Sequence, residues 1–352
     1  MIKRNIINYQ WPKVLVLKIC IVLGAFVYLL KGIKFQDIVS IGFMGDVMIG
    51  RTVNQVMDQN GYAYIWGNML PILKQNDLNI INLETTLTTS NERVPKVFNF
   101  KATPDKVEAL SLANIDVANI ANNHILDFNV SGMRETIQTL DKAKILHVGA
   151  GMNEAEAREP VIITKKGIKI GIIGFTDNEP SWESVGEKPG TNYVKVGNIN
   201  KIKEDVSKLR DKVDILILSI HWGPNMRQKP TKEFIDFAHN IIDLGVDIFH
   251  GHSAHIFQGI EIYNNKLIMY DTGDFVDDYA VTQELRNDRS FLFQVNVTKK
   301  GIKSVKLIPI LISNMQVNKL DDKDAQVVIK KMQSLSKEFN TKISDDGLFI
   351  LS

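Results

Sequence analysis

Short apolar runs recur along the chain, and each stops abruptly at a polar cluster. Residues 38–44, 78–81, 115–120, 145–148, 167–175, 214–220 and 246–249 have the length and branched content of buried strands. Between them, residues 52–58, 104–112, 131–143, 200–209 and 234–244 carry the spacing of amphipathic helices, and Pro104 stands in a first turn. Later runs at 267–270, 291–297 and 305–311 predict further strands, and 322–340 a closing helix. Residues 98–100 read as a short extended piece. Residues 176–195, rich in Gly, Pro, Ser and Asn, read as a long loop pinned by Trp182. Strand, polar cluster, helix, repeated, predicts an α/β fold.

The first apolar run has a different character. Residues 14–30 are interrupted only by Lys18, and residues 1–35 carry six basic side chains and no acidic one. This predicts an uncleaved N-terminal membrane anchor over residues 1–35, with a single transmembrane helix at 14–30 and its N-terminus inside. The body, residues 36–352, would then lie outside the cytoplasm at the cell membrane. The chain holds 42 basic and 40 acidic residues, so the body keeps 36 against 40 and is mildly acidic. No basic footprint for nucleic acid is present. The single cysteine, Cys20, falls in the apolar segment and excludes an internal disulfide.

The polar clusters carry the chemistry. His250-Gly251-His252-Ser253-Ala254-His255 places three of the chain's seven histidines within six residues, in the loop expected to leave the 246–249 strand. Asp46, Glu84, Asn123-His124 and His221 each stand where another apolar run ends. Carboxylates and imidazoles buried at strand ends must be paired or metal-bound, and in open α/β sheets such ends collect ligands. Arg51, close to Asp46, could neutralise a phosphate or carboxylate. His147 and His239 read as packed residues.

These same residues carry a resemblance. Gly45-Asp46-Val47-Met48-Ile49-Gly50-Arg51, Asn82-Leu83-Glu84-Thr85, Ala121-Asn122-Asn123-His124 and His221-Trp222-Gly223 form its first half. Gly251-His252-Ser253-Ala254-His255-Ile256-Phe257-Gln258-Gly259 and Tyr270-Asp271-Thr272-Gly273-Asp274-Phe275 complete it. The series resembles that of the CapA-type capsule, or poly-gamma-glutamate, biosynthesis proteins, of the calcineurin-like metallophosphoesterase superfamily. It runs from about residue 40 to 311.

The resemblance implies a four-layer α/β/β/α sandwich with one or two divalent metal ions (Mn, Fe or Zn) between the sheets. Asp46 and His255 would bind the first metal, Glu84 would bridge, and Asn123, His221 and His252 would bind the second. His124 would act as general acid or stabilise the oxyanion, with Arg51, Asn122 and Trp222 contacting substrate. The superfamily's first motif has a His two residues after its Asp. Met48 stands there, which implies a weak or absent first metal. Glu84 replaces the usual Asp, and Ser253-Ala254 replaces a frequent His-Pro pair.

Two functions follow as expectations. One is an outward-facing metal-dependent hydrolase acting on a phosphoester or an anionic surface polymer. The other is a non-enzymatic, polymer-binding component of a membrane polymer-synthase or export complex. A cytosolic nucleotide phosphatase is disfavoured by the predicted anchor.

Overall fold

The computed structural model describes residues 37–351. The predicted anchor, residues 1–35, lies outside the described residues, and among these no helix is long and apolar enough to cross a membrane. Two mixed sheets carry the fold. Among the described residues the first has nine strands. Its spine runs Gln316–Lys319, Gly301–Ser313, Arg289–Thr298, Val39–Val47, Leu78–Leu83, Val117–Asn119, Leu146–Val148. From Val39–Val47 to Leu146–Val148 the strands are parallel; on the other side they are antiparallel. The second sheet has six strands, with Ile168–Thr176, Ile215–His221, Ile248–His252 and Lys266–Met269 parallel at its centre.

The alternation of each strand decides what faces what. Ile41, Phe43, Leu78 and Ile80 of the first sheet pack with Ile170, Ile172, Ile215, Ile217 and Ile248 of the second in one apolar cluster. The opposite faces do not meet. Ile81, Leu83 and Ala118 lie with Val53, Met57, Leu110, Met133 and Leu140 from the helices Arg51–Asn60, Val107–Leu112 and Asn129–Ala143. Leu216, Leu218, Ile220 and Phe249 lie with Val206 and Phe237 from Asn200–Leu209 and Lys232–Asp243. The helix Asp322–Ser336 adds Val328, Ile329 and Met332 to the cluster shared by the sheets.

Several predicted bounds shift for identifiable reasons. The strand expected to stop at Phe249 continues to His252, because Ser219 and His221 of the neighbouring strand pair with His250 and His252 in register. Gly251 makes this possible: a Cβ there would lie 2.2 Å from the Tyr270 carbonyl oxygen. The extended piece expected at 98–100 is not a strand; pairing begins one residue later, at Lys101–Ala102. The closing helix ends at Ser336 and gives way to a 3₁₀ turn, Lys337–Phe339. The loop 176–195 contains a turn, Pro180–Trp182, and a short strand, Gly190–Thr191, paired with Ala150–Gly151.

Ile217 is wholly buried in the cluster shared by the sheets. Ile217→Ala should lower the unfolding free energy by about 2–5 kcal/mol, measured by urea denaturation. A loss within the spread typical of surface substitutions would contradict this packing.

Candidate metal centre

Parallel strands of both sheets end at the same place, and the polar residues that stop them converge there. Asp46, on Val39–Val47, is fully buried. Its Oδ1 accepts from Asn82 Nδ2 at 2.7 Å and its Oδ2 from the Ser253 amide at 3.1 Å. Three imidazoles surround it, with Nδ1 of His255, His252 and His221 at 3.3, 3.6 and 3.7 Å. The Nδ1 atoms of His221 and His252 are 3.1 Å apart. The Nε2 of His252 lies 3.1 Å from Ser219 Oγ, which is also 3.1 Å from His250 Nδ1. Ser219 thus occupies the rear of the His252 ring and leaves Nδ1 to the centre.

The backbone after His252 is bent to fit. Ser253 has φ +118° and His255 φ +59°. A non-glycine residue in this region costs on the order of 1–3 kcal/mol. The conformation brings the Ser253 amide onto Asp46 and the His255 ring between Asp46 and Asp274.

Glu84, also fully buried, follows the Leu78–Leu83 strand. Its Oε1 lies 3.5 Å from His124 Nε2 and 3.9 Å from His221 Nε2. His124 is held from behind: its Nδ1 is 2.6 Å from Asp127 Oδ2, and its ring stacks on Phe100 at 3.9 Å between centroids. Asp127 also accepts from the Phe100 amide at 2.6 Å and from Lys96 Nζ at 2.9 Å. Lys96 bonds the Asn123 carbonyl as well.

The remaining predicted residues fall elsewhere. Asn122 is enclosed: its Nδ2 donates to Leu83 O and Asn82 Oδ1, and its Oδ1 accepts from the His124 amide. Trp222 packs beside Phe234, Phe237 and Phe249 and donates to the Tyr270 carbonyl, so the structure does not bring its ring into the centre. Arg51 pairs with Asp278, and its guanidinium lies over Phe100 at 4.3 Å. It lines a cleft of about 600 Å³ with Arg93, Lys96, Phe98 and Phe100. Met48 is buried and donates its amide to Val276 O at 2.8 Å. His147 is partly buried, and His239 stacks on Tyr263 and pairs with Glu261 at 3.0 Å.

Asp274 is the residue that the sequence reading did not single out. Its Oδ1 is 2.9 Å from His255 Nδ1, and its strand, Asp274–Val276, pairs parallel with Val39–Val47. The signal was available, since Asp271 and Asp274 also follow an apolar run. Four carboxylates between 271 and 278 obscured which one turns inward.

The electrostatics are those of a site built for positive charge. Burial would raise the Asp46 carboxyl, but the hydrogen bonds and charges of His221 and His255 outweigh it and hold it well below its ordinary value. Burial, reinforced by the Asp46 charge, pushes Glu84 well up. Burial likewise raises Asp274, against the pull of His255. It lowers His252 and His221, and it lowers His124 to about 4 despite Asp127. These three imidazoles are therefore neutral near pH 7.

Donor chemistry and hydrogen bonding both fit a divalent cation. Asp46, His221 and His252 offer donor atoms within 4.8 Å of one another, and so do Asp46, His255 and Asp274. Both oxygens of Glu84, Oδ1 of Asn123 and Oδ2 of Asp274 are buried without a hydrogen-bond partner. Buried acceptors left unpaired are costly, and a cation would satisfy them.

Residues 40–279 match the family described as "Bacterial capsule synthesis protein PGA_cap". A "probable polyglutamine synthesis accessory protein" of Mycobacterium tuberculosis is 30% identical, covering 87% of this chain and 93% of the relative. The "PGA biosynthesis protein CapA" of Bacillus subtilis is 31% identical, over 78% of this chain and 72% of the relative. A solved Mycoplasma pneumoniae protein described as a novel phosphatase shares the fold, with TM-score 0.51 and 14% identity, covering 79% of this chain and 95% of its own. The chain belongs to the PGA_cap family of bacterial capsule synthesis proteins, the CapA-type family whose motif series it carries.

Proposed function

We propose that the chain is a metal-dependent hydrolase serving the synthesis, export or anchoring of an anionic surface polymer such as poly-gamma-glutamate. The observation that carries this reading is the set of buried, unpartnered oxygens and neutral imidazoles gathered from both sheets at one point. Asp46, His221 and His252, with Asn123 and Glu84, would hold the ion. Mixed N/O donors suit Mn, Fe or Zn. The three apolar clusters support the four-layer sandwich of the metallophosphoesterase superfamily.

A bound divalent cation supplies Lewis acidity toward a phosphoryl or acyl group and makes water acidic enough to attack near neutral pH. The protein's own residues do the rest. With Asp127 accepting from Nδ1–H, the neutral His124 presents a lone pair on Nε2. It takes up a proton there and can return it to a leaving group. Phe100, flat against the ring, keeps it from turning. Asn82 fixes the Asp46 carboxylate so that its oxygens need not reorganise during reaction.

The cleft beside His124 suits the substrate. Arg51 and Arg93 line it, and Arg93 forms no ion pair among the described residues. A chain of carboxylates would meet cations at the rim before reaching the buried acids. The same cleft favours a second reading, in which the protein binds the polymer without cleaving it. The apolar run at 14–30, flanked by basic residues, supports anchoring in the cell membrane with the body outside, within reach of a polymer-synthase complex.

Mn-loaded protein should hydrolyse bis(p-nitrophenyl) phosphate. His124→Ala should lower kcat by about 10²–10⁴-fold with metal content unchanged, whereas His252→Ala should lose metal as well. Metal bound without turnover on phosphoesters or on poly-gamma-glutamate would favour the binding reading. For the cleft, Arg93→Glu should weaken binding of fluorescent poly-gamma-glutamate roughly fivefold, in line with an exposed charge contact of about 1 kcal/mol. The loss should shrink as salt is added. Unchanged anisotropy titrations would remove the cleft from the polymer's path.

A further inference from the structure

We propose that Asp274 is a metal ligand, completing with Asp46 and His255 the cation position that Met48 cannot serve. The inference rests on the metal-centre reading above and adds a ligand to it.

The surroundings of its carboxylate point to Asp274. Its carboxylate is buried, with Oδ1 2.9 Å from His255 Nδ1 and Oδ2 without any partner. Asp46 Oδ2 lies 3.3 Å from the same His255 nitrogen, and the three donors fall within 4.8 Å of one another. Glu84 contributes two further oxygens that nothing else satisfies. Buried carboxylates gathered around one imidazole, with acceptors to spare, are short of positive charge.

The backbone is shaped to deliver this residue. Asp274 stands opposite Asp46 in a parallel pair, and the Asp46 amide donates to Gly273 O at 2.9 Å. The approach is so close that a Cβ on Gly45 would lie 1.7 Å from that carbonyl oxygen. Gly273, at φ +65°, turns the chain into the pair. Two residues beyond Asp46 the chain offers only Met48, a soft thioether. Asp274 supplies a hard oxygen from the neighbouring strand instead. The position has one imidazole where its neighbour has two, and two carboxylates, so it suits Mn²⁺.

The competing role is orientation: Asp274 could serve only to accept a hydrogen bond from His255. Metal counting separates the two. The full chain, stripped with chelator and reloaded with MnCl₂, is desalted and analysed for elements and by Mn²⁺ electron paramagnetic resonance. Wild type should hold about two ions and show an exchange-coupled signal, a readout that needs no variant. Asp274→Ala should hold one uncoupled ion, and Asp274→Asn, which keeps an acceptor for His255 but only a neutral oxygen donor, should bind its second Mn²⁺ more weakly than wild type. Thermal melting with and without Mn²⁺ checks that the variants fold. Two ions in Asp274→Ala, or wild-type affinity for both ions in Asp274→Asn, would reduce Asp274 to orientation and overturn the assignment. One ion in wild type would overturn the second position and leave the proposed hydrolase standing. No ion in wild type would overturn both, and none in a folded Asp274→Ala would overturn the division into two positions.

Discussion

A carboxylate with no access to water sits where two sheets meet, and the site is arranged around that fact. Asp46 is fully buried. Moving such a charge out of water costs several kcal/mol after relaxation. An amide, a backbone N–H and three imidazoles answer the cost, and none of the imidazoles comes from the sheet that carries Asp46. The first sheet supplies acid and the second supplies base. Each would be unstable in isolation at this depth, so the polar centre and the apolar cluster between the sheets depend on one another.

Behind the charged groups stands a layer of uncharged ones. Asn82 links Asp46 to Asn119 and Asn122, and Asn122 in turn holds the His124 amide. Ser219 ties His250 to His252. Asp127 binds His124, the Phe100 amide and Lys96 together, so that the wall of the cleft and the imidazole share one anchor. Such networks fix tautomers and ring directions. They also explain why amides crowd the strand ends.

Much of this is legible in the sequence. Runs such as 214–220, short and rich in branched residues, read as buried strands, and a His or Asp at their ends falls at the sheet terminus. Asp46, Glu84, His124, His221, His252 and His255 could be named together on that ground. What escapes is anything set by long-range backbone contact. Gly251 reads as a turn, yet it is a strand residue kept bare so that Tyr270 can approach. Asp274 is one acid among four until pairing with residue 46 selects it. Trp222 looks like a polymer contact from its place beside His221. Alternation sends it to the opposite face, among helix residues.

The strand Val39–Val47 is flanked on one side by Leu78–Leu83 and on the other by Asp274–Val276 and Arg289–Thr298. A chain made from its N-terminus completes one flank early and the other only near the end. Until residues 274–298 are made, this strand has a partner on one side only. The imidazoles that make the burial of Asp46 and Glu84 tolerable, at 221, 252 and 255, are already on the chain when the last flank closes. The linear order of the residues thus places the basic partners of the buried acids on the chain before the sheet around Asp46 can be completed.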